Sequence, residues 1–211
     1  MPLWDEVRTS GRNEKFRENY VRNWIRTLGD GHGRTFLDVG AGNMPYRKQI
    51  NEAGFDYLGH DFGQYTGDNQ HPGLHASNAN WTTSGHDITC DIVELPKNIA
   101  DFIICTEVLE HVPDPLAALN SISTALKADG RALITVPLQS RMHQTPYWFV
   151  SGLSPYSLRT GRTKSNSNYK SRGLCRPNNS RIRSVRKYLE VGPRNSIYTA
   201  YPCADYAKIK H

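Results

Sequence analysis

Long apolar runs are the first thing this sequence lacks. No stretch approaches the ~20 consecutive apolar residues that a membrane-crossing helix needs. The opening segment "MPLWDEVRTSGRNEKF" has no apolar leader core either. The expectation is a soluble, cytoplasmic protein without membrane insertion. Cysteine is scarce: Cys90, Cys105, Cys175 and Cys203 are the whole set, and no two form a CxxC pair. That argues against a disulfide framework and against a cysteine-based zinc site. Cys90 and Cys105 fall in strand-like segments, where a buried free thiol is expected.

Acidic residues are scarce in one region only. Residues 160–211 hold 12 Lys+Arg against 2 Asp+Glu, a net of +10, whereas residues 1–159 hold 14 against 18, a net of −4. The overall charge of +6 therefore belongs to the last quarter of the chain. The first 159 residues are not a phosphate-neutralising surface, which argues against a nucleic-acid partner, although the basic tail leaves one open.

What is present is an alternation of elements. "FRENYVRNWIRTL" places Phe16, Tyr20, Val21, Trp24, Ile25 and Leu28 at helical spacing within residues 5–28. A strand follows at Thr35–Val39, then a helix from Pro45 to Ala53 and a strand from Phe55 to Asp61. Residues 62–85 are polar and turn-rich, a long loop of the functional kind. "HDITCDIVELP" reads as a short strand and turn, and "ADFIICTEVLEHV" as a buried strand from Asp101 to near Cys105. "DPLAALNSISTALKADG" is a helix with Asp114 as cap, Pro115 in its first turn and Gly130 near its end. "RALITVP" closes the series as a strand. This order predicts an α/β fold, Rossmann-like and doubly wound, with a mainly parallel sheet and helices on both faces. Ligands of such sheets bind beyond the carboxyl ends of the strands, at the switch point. Asp38, Asp61, Asp91 and Thr106–Glu107 all follow apolar strand runs and cluster there.

One glycine is missing from the most informative run, "FLDVGAGNMPYR". Gly40 and Gly42 permit a sharp turn and close approach of a ligand to the backbone. Where a dinucleotide-binding turn has its third glycine stands Pro45, which has no N–H to give a phosphate. Asp38 would repel a pyrophosphate and suits an ammonium. Asp61, 21 residues after Gly40, is placed as a carboxylate that accepts from ribose hydroxyls. The ligand so described has a ribose, a cationic amino group and no pyrophosphate.

With these motifs in order, the chain resembles the class I S-adenosyl-L-methionine-dependent methyltransferases of the type 11 group. "FLDVGAGNMPYR" is similar to that family's first motif and "YLGHDFGQY" to its second. "ITCDIVELP" is similar to its adenine-contacting motif, and "ADFIICTEVLEHVPDP" to the motif after the fourth strand. "LKADGRALITVP" matches the helix end and fifth strand, so the likeness covers about residues 34–138. The resemblance implies Asp38, Gly40, Ala41 and Gly42 around the methionine moiety, and Asp61, with Phe62 after it, at the ribose. It implies Asp91 at the adenine amine, Ile92 on the ring, and Thr106 and Glu107 beside the sulfonium, with His111 facing the acceptor. The implied activity is methyl transfer from S-adenosyl-L-methionine to a small-molecule or glycan acceptor.

Catalytic candidates are His111, Glu107 and His143. Glu107 and His111 would share a face if their segment were helical. No third ligand is evident, so no metal is assigned. His111 reads either as a structural histidine or as a general base for an acceptor that must lose a proton. "RMHQTPYWF" resembles a substrate-side stretch, giving His143 and Tyr147 as candidate contacts, although the family's arginine after "PY" is absent.

The three segments expected are 1–33, an amphipathic helix and linker; 34–159, the cofactor-binding core; and 160–211, a basic tail of little periodicity. Two origins fit that tail: a basic appendage for acidic partners, or a shifted reading frame that replaced the native end. The break falls where a core helix should begin, which favours the second and implies that the sixth and seventh strands are missing. Rival readings are a degenerate, non-catalytic binding domain and a nicotinamide-dependent enzyme, the latter disfavoured by Pro45. A base-amino methyltransferase is disfavoured by "CTEVLEHV" where "[DN]PP[YF]" would stand. The oligomeric state is left open.

Overall fold

Phe36, Leu37 and Val39 are fully buried in β1, Thr35–Val39. The computed structural model describes residues 10–64, 84–137, 140, 143–144, 146–153, 187–192 and 196–200. Around β1 stand β2 (Asp56–Asp61), β3 (Ile88–Thr89), β4 (Ala100–Thr106) and β5 (Leu126–Val136), all paired in parallel. Two further strands, β6 (Lys187–Gly192) and β7 (Ser196–Ala200), complete a 7-stranded sheet in the order β3-β2-β1-β4-β5-β6-β7.

Strand periodicity assigns the two faces. Phe36, Phe102, Ile104 and Leu133 point to the side covered by α1 (Ser10–Thr27) and α2 (Arg47–Glu52). There Trp24, Phe36, Phe55 and Phe102 form an aromatic cluster with ring separations of 5.4 to 6.4 Å. Leu37, Ile103, Cys105 and Ile134 point the other way, onto Ala118, Ile122 and Ala125 of α3 (Pro115–Ala125). Val21, Trp24 and Ile25 of α1, and Leu28 just after it, are all buried, as their spacing required. Helices on both faces of a parallel sheet make this the doubly wound α/β fold.

The second helix starts at Arg47 rather than Pro45, and the third ends early. The helix expected to run toward Gly130 stops at Ala125, and Leu126 is already strand, paired with Ala100. Lys127 adds an ion pair from Nζ to Asp101 on β4, at 2.7 Å, to that strand pairing. The tail also departs from expectation: strands six and seven are not missing. β6 pairs antiparallel with β5, and β7 antiparallel with β6, with Gly192 opposite Ser196. The β-branched and aromatic residues of "KYLEVG" and "SIYTA" favour strands, and "PRN" between them is turn chemistry. The basic composition around them masked that signal. Most of the 62–85 loop, and the side chains of Cys175, Cys203, Trp4 and Trp81, lie outside the described residues.

Candidate active site

The chain order reverses between β1 and β4, and the polar residues gather at the carboxyl ends of these strands and of β2. After Val39 the chain turns through Gly40, with φ of +67°, where a side chain would strike Val108. The N–H groups of this turn are already committed to β2. Gly40 N–H donates to His60 Nδ1 at 3.4 Å and Ala41 N–H to the His60 carbonyl at 2.8 Å. Gly42 N–H donates to Asp61 Oδ2 at 3.1 Å.

His60 is thereby a neutral pin. Its Nε2 donates to the Cys90 carbonyl at 3.1 Å, so Nδ1 carries the lone pair that Gly40 N–H needs. Burial pushes its pKa down and holds it neutral, although the Cys90 carbonyl pulls the other way. Sequence reading missed His60 because a polar residue inside a strand reads as its solvent-facing alternate; only its position next to Asp61 signalled a role.

Asp38 is 1% exposed and accepts from the Tyr57 hydroxyl at 3.0 Å. Burial raises its pKa to about 7, against the Tyr57 hydrogen bond and with help from the charge of Asp61. Asp61 accepts from Gly42 N–H on one oxygen and from Gly63 N–H, at 3.0 Å, on the other. A carboxylate has about four lone-pair sites, so Asp61 keeps acceptor capacity toward a ligand. Asp91 is exposed and caps the following 3-10 turn through Val93 N–H at 3.1 Å, while Ile92 is buried in the core beneath it.

Thr106 ends β4 in register with Thr135. Glu107 follows at φ of +55°, a conformation that excludes the helix assumed for the Glu107–His111 pair. The two side chains engage different partners. Glu107 accepts from the Thr135 hydroxyl at 3.0 Å and stands 3.4 Å from the Arg17 guanidinium of α1. His111, at the end of the 3-10 turn Leu109–His111, donates from Nδ1 to the Tyr147 carbonyl at 2.6 Å. Burial lowers its pKa to about 4, so the imidazole is neutral.

The carboxylate that stands beside His111 is Glu110, with Oε1 3.9 Å from His111 Nε2, and the third group is His143, its ring edge-on at 4.7 Å. Sequence reading passed over Glu110 because only helical neighbours were weighed. Tyr147 stacks edge-to-face on Phe62 at 5.0 Å, so the segment after β5 closes over the end of β2. The glycine turn and Asp61 are joined by hydrogen bonds, while His111 contacts Tyr147 and His143, and Tyr147 contacts Phe62.

Comparisons with known proteins bear on this site. A family model described as "Methyltransferase domain" matches residues 13–163. Curated relatives named ubiquinone biosynthesis O-methyltransferase are 32% identical over 51% of this chain in Haemophilus ducreyi and 27% over 60% in Hydrogenovibrio crunogenus. The aligned parts are 48% and 52% of those proteins, so the chain spans about half the length of the curated relatives it matches. A solved S-adenosylmethionine-dependent methyltransferase from Archaeoglobus fulgidus is 19% identical, with a TM-score of 0.45, over 72% of this chain and 70% of its own. Among the described residues no helix is long and apolar enough to cross a membrane. With the family model covering well over half its residues, the chain belongs to the methyltransferase-domain family.

Proposed function

We propose that this protein transfers a methyl group from S-adenosyl-L-methionine to a hydroxyl of a small-molecule acceptor. The observation that carries the reading is the pair of carboxylates at the switch point: buried Asp38 and, on the adjacent strand, Asp61 bound to the glycine turn. The residues fit this cofactor. A buried carboxyl near neutrality lacks a countercharge, which an ammonium supplies. The turn's N–H groups, spent on His60 and Asp61, offer no cradle for a pyrophosphate. That disfavours the nicotinamide reading.

In this reading Asp38 holds the amino group and Asp61 takes the ribose hydroxyls. Asp91 keeps an oxygen for the adenine amine, and Thr106 and Glu107 wall the reacting end. Glu107 is fixed there by Thr135 and Arg17. The cofactor, when bound, supplies an activated methyl on its sulfonium; the chain aligns the acceptor and excludes water. His111 and His143 provide acceptor-side nitrogen lone pairs, beside Tyr147 and Phe62. Support for an oxygen acceptor comes from the names of the curated relatives; a glycan hydroxyl fits the same chemistry.

Calorimetric titration with S-adenosyl-L-methionine and with its demethylated product tests this directly. Both should bind the folded protein at one site, with no heat from a nicotinamide dinucleotide. A folded sample that binds neither overturns the proposal.

A further inference from the structure

We propose that Glu110, His111 and His143 form a binding site for one divalent first-row transition cation, with zinc the ion best matched to the donor set. One ligand atom from each of the three lies within 4.8 Å of the others. The three come from two places in the fold: the 3-10 turn after β4 and the segment after β5. Phe149 N–H and Val150 N–H bind the Glu110 carbonyl at 3.0 and 3.3 Å, and Leu153 N–H binds the Pro137 carbonyl at 3.1 Å. The backbone therefore holds the two pieces together without help from the side chains.

The orientation of His111 is that of a metal ligand. A carbonyl only accepts, so the 2.6 Å bond to Tyr147 puts the proton on Nδ1 and leaves Nε2 with its lone pair. Histidines that bind metals are held in this way, by a hydrogen bond from the other ring nitrogen. That lone pair faces the carboxylate of Glu110, a residue 2% exposed, at 3.9 Å. The separation is too long for a hydrogen bond. Two ligands of a tetrahedral zinc with bonds of about 2.1 Å stand about 3.4 Å apart, so this pair closes by roughly 0.5 Å on binding. The widest pair, within 4.8 Å, closes by up to about 1.4 Å, which side-chain rotation supplies. Two imidazoles and one carboxylate suit zinc and its neighbours rather than calcium or magnesium, which take oxygen sets. Three protein ligands leave a position for water or, on the reading of function above, for an oxygen of the acceptor.

The test is a zinc titration of chelator-treated, full-length protein without cofactor, read by calorimetry and metal analysis. One zinc per chain is expected, with affinity at least tenfold weaker in His143→Ala and in Glu110→Gln at unchanged circular dichroism. Cobalt(II) should give visible bands of nitrogen and oxygen ligation without a thiolate charge-transfer band. The site is overturned by absent stoichiometric uptake in folded protein, by uptake that both variants retain unchanged, or by a thiolate band. Because no cofactor is present, failure here leaves the methyl-transfer reading to its own titration.

Discussion

At the scale of single residues, Asp38 sets a pH dependence with opposite signs for folding and for ligand binding. Its carboxyl is raised from 3.8 to about 7, first by burial, so the folded chain holds a proton that the unfolded chain releases. Its contribution to stability is therefore fully present below 3.8 and is lost as pH rises toward 7. An ammonium ligand needs the ionised form, so cofactor affinity should strengthen about tenfold per pH unit below neutrality and then level off. Titrations across that range should show this slope, and Asp38→Asn should flatten it and weaken binding. Gly40→Ala sets a side chain against Val108 at a positive φ. The left-handed backbone alone costs about 1–2 kcal/mol. Val108→Ala in the same chain should recover only the steric remainder of the lost melting temperature. Asp38 and the glycines were legible because their spacing is local. His60 and Glu110 were not, since their partners Cys90 and His143 come from distant parts of the chain.

At the scale of elements, α3 was readable at its start and not at its end. Asp114 accepts from both Leu116 N–H and Ala117 N–H at 3.0 Å, as the Asp-Pro start implied. Asp114→Ala should cost about 1 kcal/mol, a fall of a few degrees in thermal melting with cofactor affinity unchanged. The far end escaped because Leu126 is captured by a tertiary partner, Ala100, against a local pattern that still favoured helix. β1 matched to the residue, since its apolar run has polar or glycine neighbours on both sides. The 107–111 segment misled for a backbone reason: one positive φ at Glu107 re-aims everything after it.

At the scale of the whole molecule, the parallel strands were legible from alternation alone, whereas the closing hairpin was hidden in a basic tail. That hairpin covers the outer edge of β5. A chain ending after Leu153 would expose that edge, and unpaired strand edges recruit one another. Such a truncation should self-associate, visible as concentration-dependent sedimentation, where the full chain does not through this edge.

The same pairing bears on the order of events in folding. β6 and β7 are near neighbours in sequence, but β6 reaches β5 only by closing about fifty intervening residues. The hairpin is therefore cheap to form and slow to dock, arriving after the parallel strands have assembled. Substitutions that weaken the β5–β6 seam should hasten unfolding while leaving the folding rate nearly unchanged. On this order of events the kinetic lifetime of the protein should be set at the β5–β6 seam.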